Sequence, residues 1–361
     1  MRFLLDSGLW TSGPPADAAP LTAVLEVSGA VLSWTIDRPD TVVHLAFTDP
    51  TRADWLWRLV GERGHTEIVP ALGAAFGEGR AEVEGVILDA VALEPLRRLA
   101  LGHWLRRWWP ASRRDGIVEL DSTILDGELA LLAAAAEGFF ADDTFDSDVA
   151  ELLRPHMSML NGLAGLGDPR VAELAAACAE LAEDLGVGAG SPIPAPTGRA
   201  DYALVAGADG ARGGAEAIAT GVASVSWGAV PPGVFDAAEQ TITWRVEADG
   251  EAATAVVRTE LSGPGSPTGI PVRFSSGGVG GTGSLDPAGT ATLALLDADS
   301  APVTETVAWN RDWRQTAVTI GADIGEDRAV RDRVRAFART RLRQPDADAF
   351  LAEILAAESD Y

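Results

Sequence analysis

The segment Gly186–Gly198, GVGAGSPIPAPTG, divides the chain more sharply than any other feature. It is Gly-rich and then alternates Pro with small residues. Neither a helical nor a strand pattern runs through such a stretch, so it reads as a semi-extended linker. Strands and helices mix before it, with helical spacing dominant from Glu94 onward; after it, apolar residues recur mostly at every second position. The pattern predicts an α+β protein. An N-terminal mixed strand/helix domain ending in a helical bundle occupies 1–186, followed by a linker over 187–198. An all-β sandwich-like domain then occupies 199–323, and C-terminal helices occupy 324–361. A chain of 361 residues with 47% hydrophobic content has material for two cores.

Within the first part, Leu25 and Val27, then Leu32, Trp34 and Ile36, then Val43, Leu45 and Phe47 alternate with polar or small residues, the period of half-buried strands. Asp49-Pro50 opens a helix carrying Trp55, Leu56 and Leu59. Val83–Leu88 reads as a further strand. Helices follow from Pro95 to Pro110, from Thr123 to Phe140, from near Asp148 (with Glu151 at capping-box spacing), and from Pro169 to Leu185 with Asp168 as cap.

Beyond the linker, Ile242, Trp244 and Val246 alternate with Thr241, Thr243 and Arg245. Asp249-Gly250 is a hairpin signal, and Ala255, Val257, Thr259 and Leu261 continue the alternation. Asp286-Pro287-Ala288-Gly289 carries type I turn residues before Ala291, Leu293 and Leu295. Val303, Glu305, Val307 and Trp309 then read as another strand. Strands about every ten residues suggest a sandwich of about seven or eight. Glu326–Arg343 reads as one helix, ended by Pro345, and Asp346 caps a shorter one.

Composition removes several chemistries. There is no lysine, so all 28 cationic side chains are arginine, as in proteins of GC-rich bacterial genomes. A P-loop, a protein kinase and a pyridoxal Schiff base each need a lysine and are excluded. The single cysteine, Cys178, excludes an intrachain disulfide and a cysteine-rich zinc site, and reads as a small buried helix residue. A net charge of -25 repels nucleic acid and anionic membranes at long range. The opening MRFLLDSGLW lacks the apolar run of a signal peptide, and no stretch has the length of a membrane span. The expected compartment is the cytoplasm.

Asp142-Asp143-x-x-Asp146 resembles the aspartate-rich motif of the class I isoprenoid synthases, whose carboxylates hold magnesium against a diphosphate. That resemblance would imply an all-helical fold and a second metal motif, whereas this chain is rich in strands and has no such motif downstream. Its aspartates also precede a helix where the family's lie within one. Asp142, Asp143 and Asp146 are therefore the candidate magnesium ligands, and the plainer account is an acidic loop feeding a helix N-terminus. Neither a metal nor a cofactor is expected.

Gly278–Gly283 spells the dinucleotide fingerprint after a strand, but a turn and another strand follow it, so it reads as a flexible loop. His44, His65, His103 and His156 are scattered and form no metal-spaced pair; a triad from distant residues would leave no sequence trace. In the helix before Pro110, Leu101, Trp104, Leu105 and Trp108 share a face, with Arg98 and Arg106 opposite. With Arg107, Arg113 and Arg114 this is a nucleic-acid candidate, against the plainer account of tryptophans docked in a core.

The second cationic stretch decides the functional expectation. Arg328, Arg331, Arg335 and Arg339 form one stripe of a helix whose other face is Val330, Val334, Phe337 and Leu342. In so acidic a chain, the simplest target for this stripe is an acidic protein surface, its own or a partner's. The expected function is a non-catalytic scaffold or adaptor of a bacterial multi-protein assembly, through a protein partner or self-association. The competing expectations are a magnesium enzyme at Asp142, Asp143 and Asp146, and nucleic-acid binding through the Arg/Trp helix.

Overall fold

The computed structural model describes residues 1–38, 41–75, 78–140, 146–187, 217–248 and 252–359, with Asp146 and Ser147 described by backbone alone. The linker expected at 187–198 and the Asp249-Gly250 hairpin lie outside the described residues apart from Val187. The fold is α+β. It forms two compact units: 1–109 with 120–193 and 332–361, and 110–119 with 194–331.

The first unit holds a six-stranded antiparallel sheet of β1 (Arg2–Asp6), β2 (Leu9–Ser12), β3 (Thr22–Val27), β4 (Ala30–Thr35), β5 (His44–Phe47) and β6 (Arg80–Glu82), in the order β3-β4-β5-β2-β1-β6. The alternation read from the sequence sets its register: Leu25 pairs with Leu32, and Leu32 with Leu45. Phe3, Trp10, Leu25, Leu32, Leu45 and Phe47 are buried. The Ser28-Gly29 turn fits only glycine at its second position: Gly29 has φ +74°, and a Cβ there would lie 2.3 Å from Asp49 O.

Helices form the rest of this unit: α1 (Trp57–Ala74), α2 (Ala90–Trp108), α3 (Ser122–Glu137), α4 (Asp146–Leu153), α5 (Met157–Ala164) and α6 (Pro169–Asp184). Three-residue 3-10 turns at Pro50–Arg52 and Asp54–Leu56 precede α1, where one continuous helix is expected from sequence. The strand expected at Val83–Leu88 does not form; pairing ends at Glu82. The residues after it lead instead to Asp89, whose carboxylate caps α2 at Val91 and Ala92. Pro95 thus lies inside α2, close enough to its start that few backbone bonds are lost. α4 begins two residues before Asp148, so Asp148 is not its cap.

α3 is apolar around most of its circumference, with Ile124, Leu125, Leu129, Ala130 and Ala133 buried, as a central helix must be. Each fully buried leucine or isoleucine there contributes about 1.5–3 kcal/mol. Helices approach closely at Gly102 of α2, where a Cβ would lie 2.6 Å from Leu129 Cδ1 and 2.8 Å from Phe350 Cζ. Cys178 is fully buried, its Sγ–H pointing to Gly127 O at 3.5 Å, and burial pushes its thiol up to about 11.

The second unit is a sandwich. A four-stranded sheet runs in the order β12-β9-β8-β7, made of β7 (Ala219–Ala223), β8 (Ile242–Ala248), β9 (Ala253–Thr259) and β12 (Thr290–Ala294). A three-stranded sheet runs β11-β10-β13, from β10 (Pro271–Ser276), β11 (Val279–Ser284) and β13 (Thr316–Ile320). Their inner faces share one core, in which Trp244 meets Phe274 edge-on at 5.6 Å. The glycine run expected as a loop is strand β11, turned by Gly277 and Gly278 at positive φ. Its small residues let the backbone close on Leu293 and Leu295. The strand expected through Val303–Trp309 is instead a short helix, α7 (Glu305–Trp309). The 110–119 segment belongs to this unit through Arg113 N–H to Asp236 Oδ2, 2.9 Å, and Ala237 N–H to Ala111 O, 3.1 Å.

The chain ends in α8 (Arg328–Arg343) and α9 (Leu351–Ser359). Among the described residues no helix is long and apolar enough to cross a membrane.

Candidate functional site

The arginine stripe of α8 is not an open cationic face, because its two middle members are buried. Arg331 donates from Nε and Nη2 to the two oxygens of Glu239, at 2.8 and 3.0 Å, and from Nη1 to Glu326 O at 3.2 Å. Glu326 in turn accepts the backbone N–H groups of Trp227 and Gly228. Arg335 donates to Asp332 on its own helix. Arg328 is exposed and Arg339 half-buried, and both have partners. On the apolar face Val334 is fully buried, Phe337 stacks edge-on against Trp104 at 5.4 Å, and Val330 and Leu342 are half-buried. The periodicity that placed four arginines on one stripe holds; the stripe turns inward at its centre.

A second polar site had no sequence signature. Asp126 lies in the buried part of α3, where a lone carboxylate would be costly. Arg106 of α2 donates from Nε to both of its oxygens, at 3.0 and 3.2 Å. His156, just before α5, reaches Asp126 Oδ2 through Nε2 at 3.1 Å, and its Nδ1 lies 3.3 Å from Thr123 Oγ1. With the ring proton on Nε2 every group is satisfied: Thr123 O–H donates to Nδ1, and Nε2–H donates to Asp126. The order hydroxyl, imidazole, carboxylate matches that of a nucleophile relay. Thr123, however, is only 4% exposed, so its hydroxyl faces the interior. The arrangement holds and orients a buried carboxylate. His103, one turn before Arg106, adjoins the cluster; burial lowers its pKa below 6.5, and Asp148 partly opposes that.

These groups come from α2, α3 and the start of α5, which is why the histidines look unrelated in sequence. The one available signal was an aspartate at position 126 among apolar residues, with Thr123 three residues before it on the same helix face.

Asp142 and Asp143 lie outside the described residues, and Asp146 is the first residue of α4. Among the described residues no group of three His, Cys, Asp or Glu side chains is placed to hold a metal ion. In the Arg/Trp helix, Trp104 is 2% exposed and its indole N–H donates to Pro20 O at 2.6 Å. Arg106 serves Asp126, Arg107 lies 4.2 Å over the half-buried Trp108 ring, and Arg114 pairs with Glu260. A base-stacking platform needs exposed rings, and Trp104 is not one.

No family model, no curated protein and no solved structure matches the chain.

Proposed function

We propose that the chain is a non-catalytic scaffold or adaptor of a multi-protein assembly and that the partner it engages is basic. The observation that carries this reading is the inward turn of the arginine stripe. With Arg331, Arg335 and Arg341 buried against the protein's own carboxylates, α8 offers no continuous cationic face, in a chain whose 53 acidic residues outnumber its 28 arginines. A field of that sign steers cationic surfaces toward the protein and turns anionic ones away. An acidic partner is thereby disfavoured.

The test is purification of the tagged full chain from its source cells at low and high salt, about 0.05 and 0.5 M. A basic protein held in fixed ratio at low salt and released at high salt is the expected result. A chain recovered alone and monomeric at low salt defeats both the partner and the self-association forms of the reading.

A further inference from the structure

A cavity of about 510 Å³ opens in the first unit, where the β3–β4 hairpin meets α2 and the chain at 16–19. Its floor is one face of the hairpin. Val24 pairs with Ser33 across the two strands, and Thr22 lies two residues before Val24, so the three share a side. α2 supplies His103, Trp104 and Trp108. Most polar groups of the lining are already spent. Thr22 Oγ1 donates to Asp17 O, Asp17 Oδ2 accepts from Arg333 at 3.1 Å, and the Trp104 indole donates to Pro20 O. Two are not: among the described residues no hydrogen bond reaches the Ser33 hydroxyl or either ring nitrogen of His103.

Ser33 is 8% exposed and His103 half-buried, which limits the water that reaches them. A polar group withdrawn from water without a partner costs stability, and a ligand that supplies the partner recovers it. The two groups also define the ligand. A neutral imidazole has one bare nitrogen that accepts and one N–H that donates, and a serine hydroxyl does both. Burial holds His103 in that neutral form at pH 7. Neither group offers a charge, the carboxylate in the lining is engaged by Arg333, and a chain of charge -25 repels anions. An uncharged molecule with an apolar body and a hydroxyl group meets these conditions. Two tryptophans one helical turn apart on α2 favour an aromatic body.

We propose that this cavity binds a small phenol, its ring against Val24 and Trp108 and its O–H donating to the bare nitrogen of His103. Ser33 is left to hydrogen-bond a second polar group on larger members of the class. The site stands apart from the adaptor reading and survives its failure.

Equilibrium dialysis of the full chain against 4-propylphenol, 4-propylanisole and 4-propylbenzoate tests it. The three share an apolar body, but the ether lacks the O–H and the benzoate carries a charge. The phenol is expected to bind, and each of the others about tenfold more weakly. His103→Phe, which keeps a ring without the nitrogens, is expected to bind phenol and ether alike. Val24→Trp, at an exposed lining position, is expected to abolish binding while melting like the parent. No retention of 4-propylphenol at about 1 mM overturns the site. So does ether or benzoate bound by the parent as tightly as the phenol, a folded His103→Phe that keeps the full preference for the phenol, or undiminished binding by a folded Val24→Trp. Should either variant misfold, the three ligands decide the matter on the parent protein.

Discussion

Arg341 of α8 faces Glu353 of α9 with Nε and Nη2 directed at the two carboxylate oxygens, and Glu353 is fully buried. Burial draws the Arg341 pKa down, but the hydrogen bond and charge of Glu353, with Asp348, outweigh it and the pKa is raised. Glu353 also accepts Phe350 N–H at 2.9 Å. Removing one member of such a pair strands the other. Glu353→Ala and Arg341→Met should each cost about 3–5 kcal/mol, and the double variant clearly less than their sum. Chemical denaturation of the four proteins measures the coupling; additive losses would mean the pair acts as two independent groups.

His103 gives the chain an acid-side weakness. Its folded pKa lies below 6.5 because burial disfavours the charged ring, while Asp148 and Asp126 raise it and Arg106 lowers it further. The folded state therefore favours the neutral ring. That stability is present above pH 6.5 and is lost as pH falls from there through the folded pKa. NMR titration should place the His103 midpoint below 6.5, and His103→Gln should flatten the stability profile on that side. A midpoint at or above 6.5 contradicts the burial account.

Gly102→Ala tests the packing of α2. The added methyl meets Leu129 and Phe350 at 2.6 and 2.8 Å, contacts that side chains do not make, so neighbours must shift. Alanine is the better helix former by about 1 kcal/mol. Overpacking should nonetheless prevail, with a net loss of about 1–3 kcal/mol in thermal or urea denaturation. A more stable variant would show that the helices have room to part.

The stripe of α8 makes a prediction opposite to that of an open face. Charge reversal at a solvated stripe leaves the fold intact. Arg331→Glu instead places a third carboxylate beside Glu239 and Glu326, whose side chains are 17% and 7% exposed. It should unfold the second unit at markedly lower temperature, whereas Arg328→Glu, at an exposed position, should stay within about 0.5 kcal/mol of the parent. Equal melting of the two would return the stripe to the surface.

What the sequence made legible was local. Leu25, Leu32 and Leu45 alternate because one face of their strands is buried, and Asp168 caps α6 at Arg170 N–H as its position implies. A short apolar run is weak evidence of a strand: at Val83–Leu88 none forms and pairing ends at Glu82, and the period of two over Val303–Trp309 gives way to a helix at Glu305–Trp309. The Asp126 cluster was hidden because Arg106 and His156 are fifty residues apart and meet only through packing. Likewise, nothing in Pro110–Glu119 marks it as part of the second unit; Asp236 does that from a distance.

The glycines of β11 have a consequence for how such a run should be read. Alanine at Gly281 would put its Cβ 2.8 Å from Ala294 O, and at Gly283 2.6 Å from Leu293 Cδ2, whereas Thr282 between them is exposed. A library saturating these positions should retain almost nothing but glycine at 281 and 283 while 282 drifts freely. Among homologues the survivors would spell a G-x-G that invites a nucleotide. Its selective origin here would be the close approach of Leu293 and Ala294 of β12, and a phosphate would have no part in it.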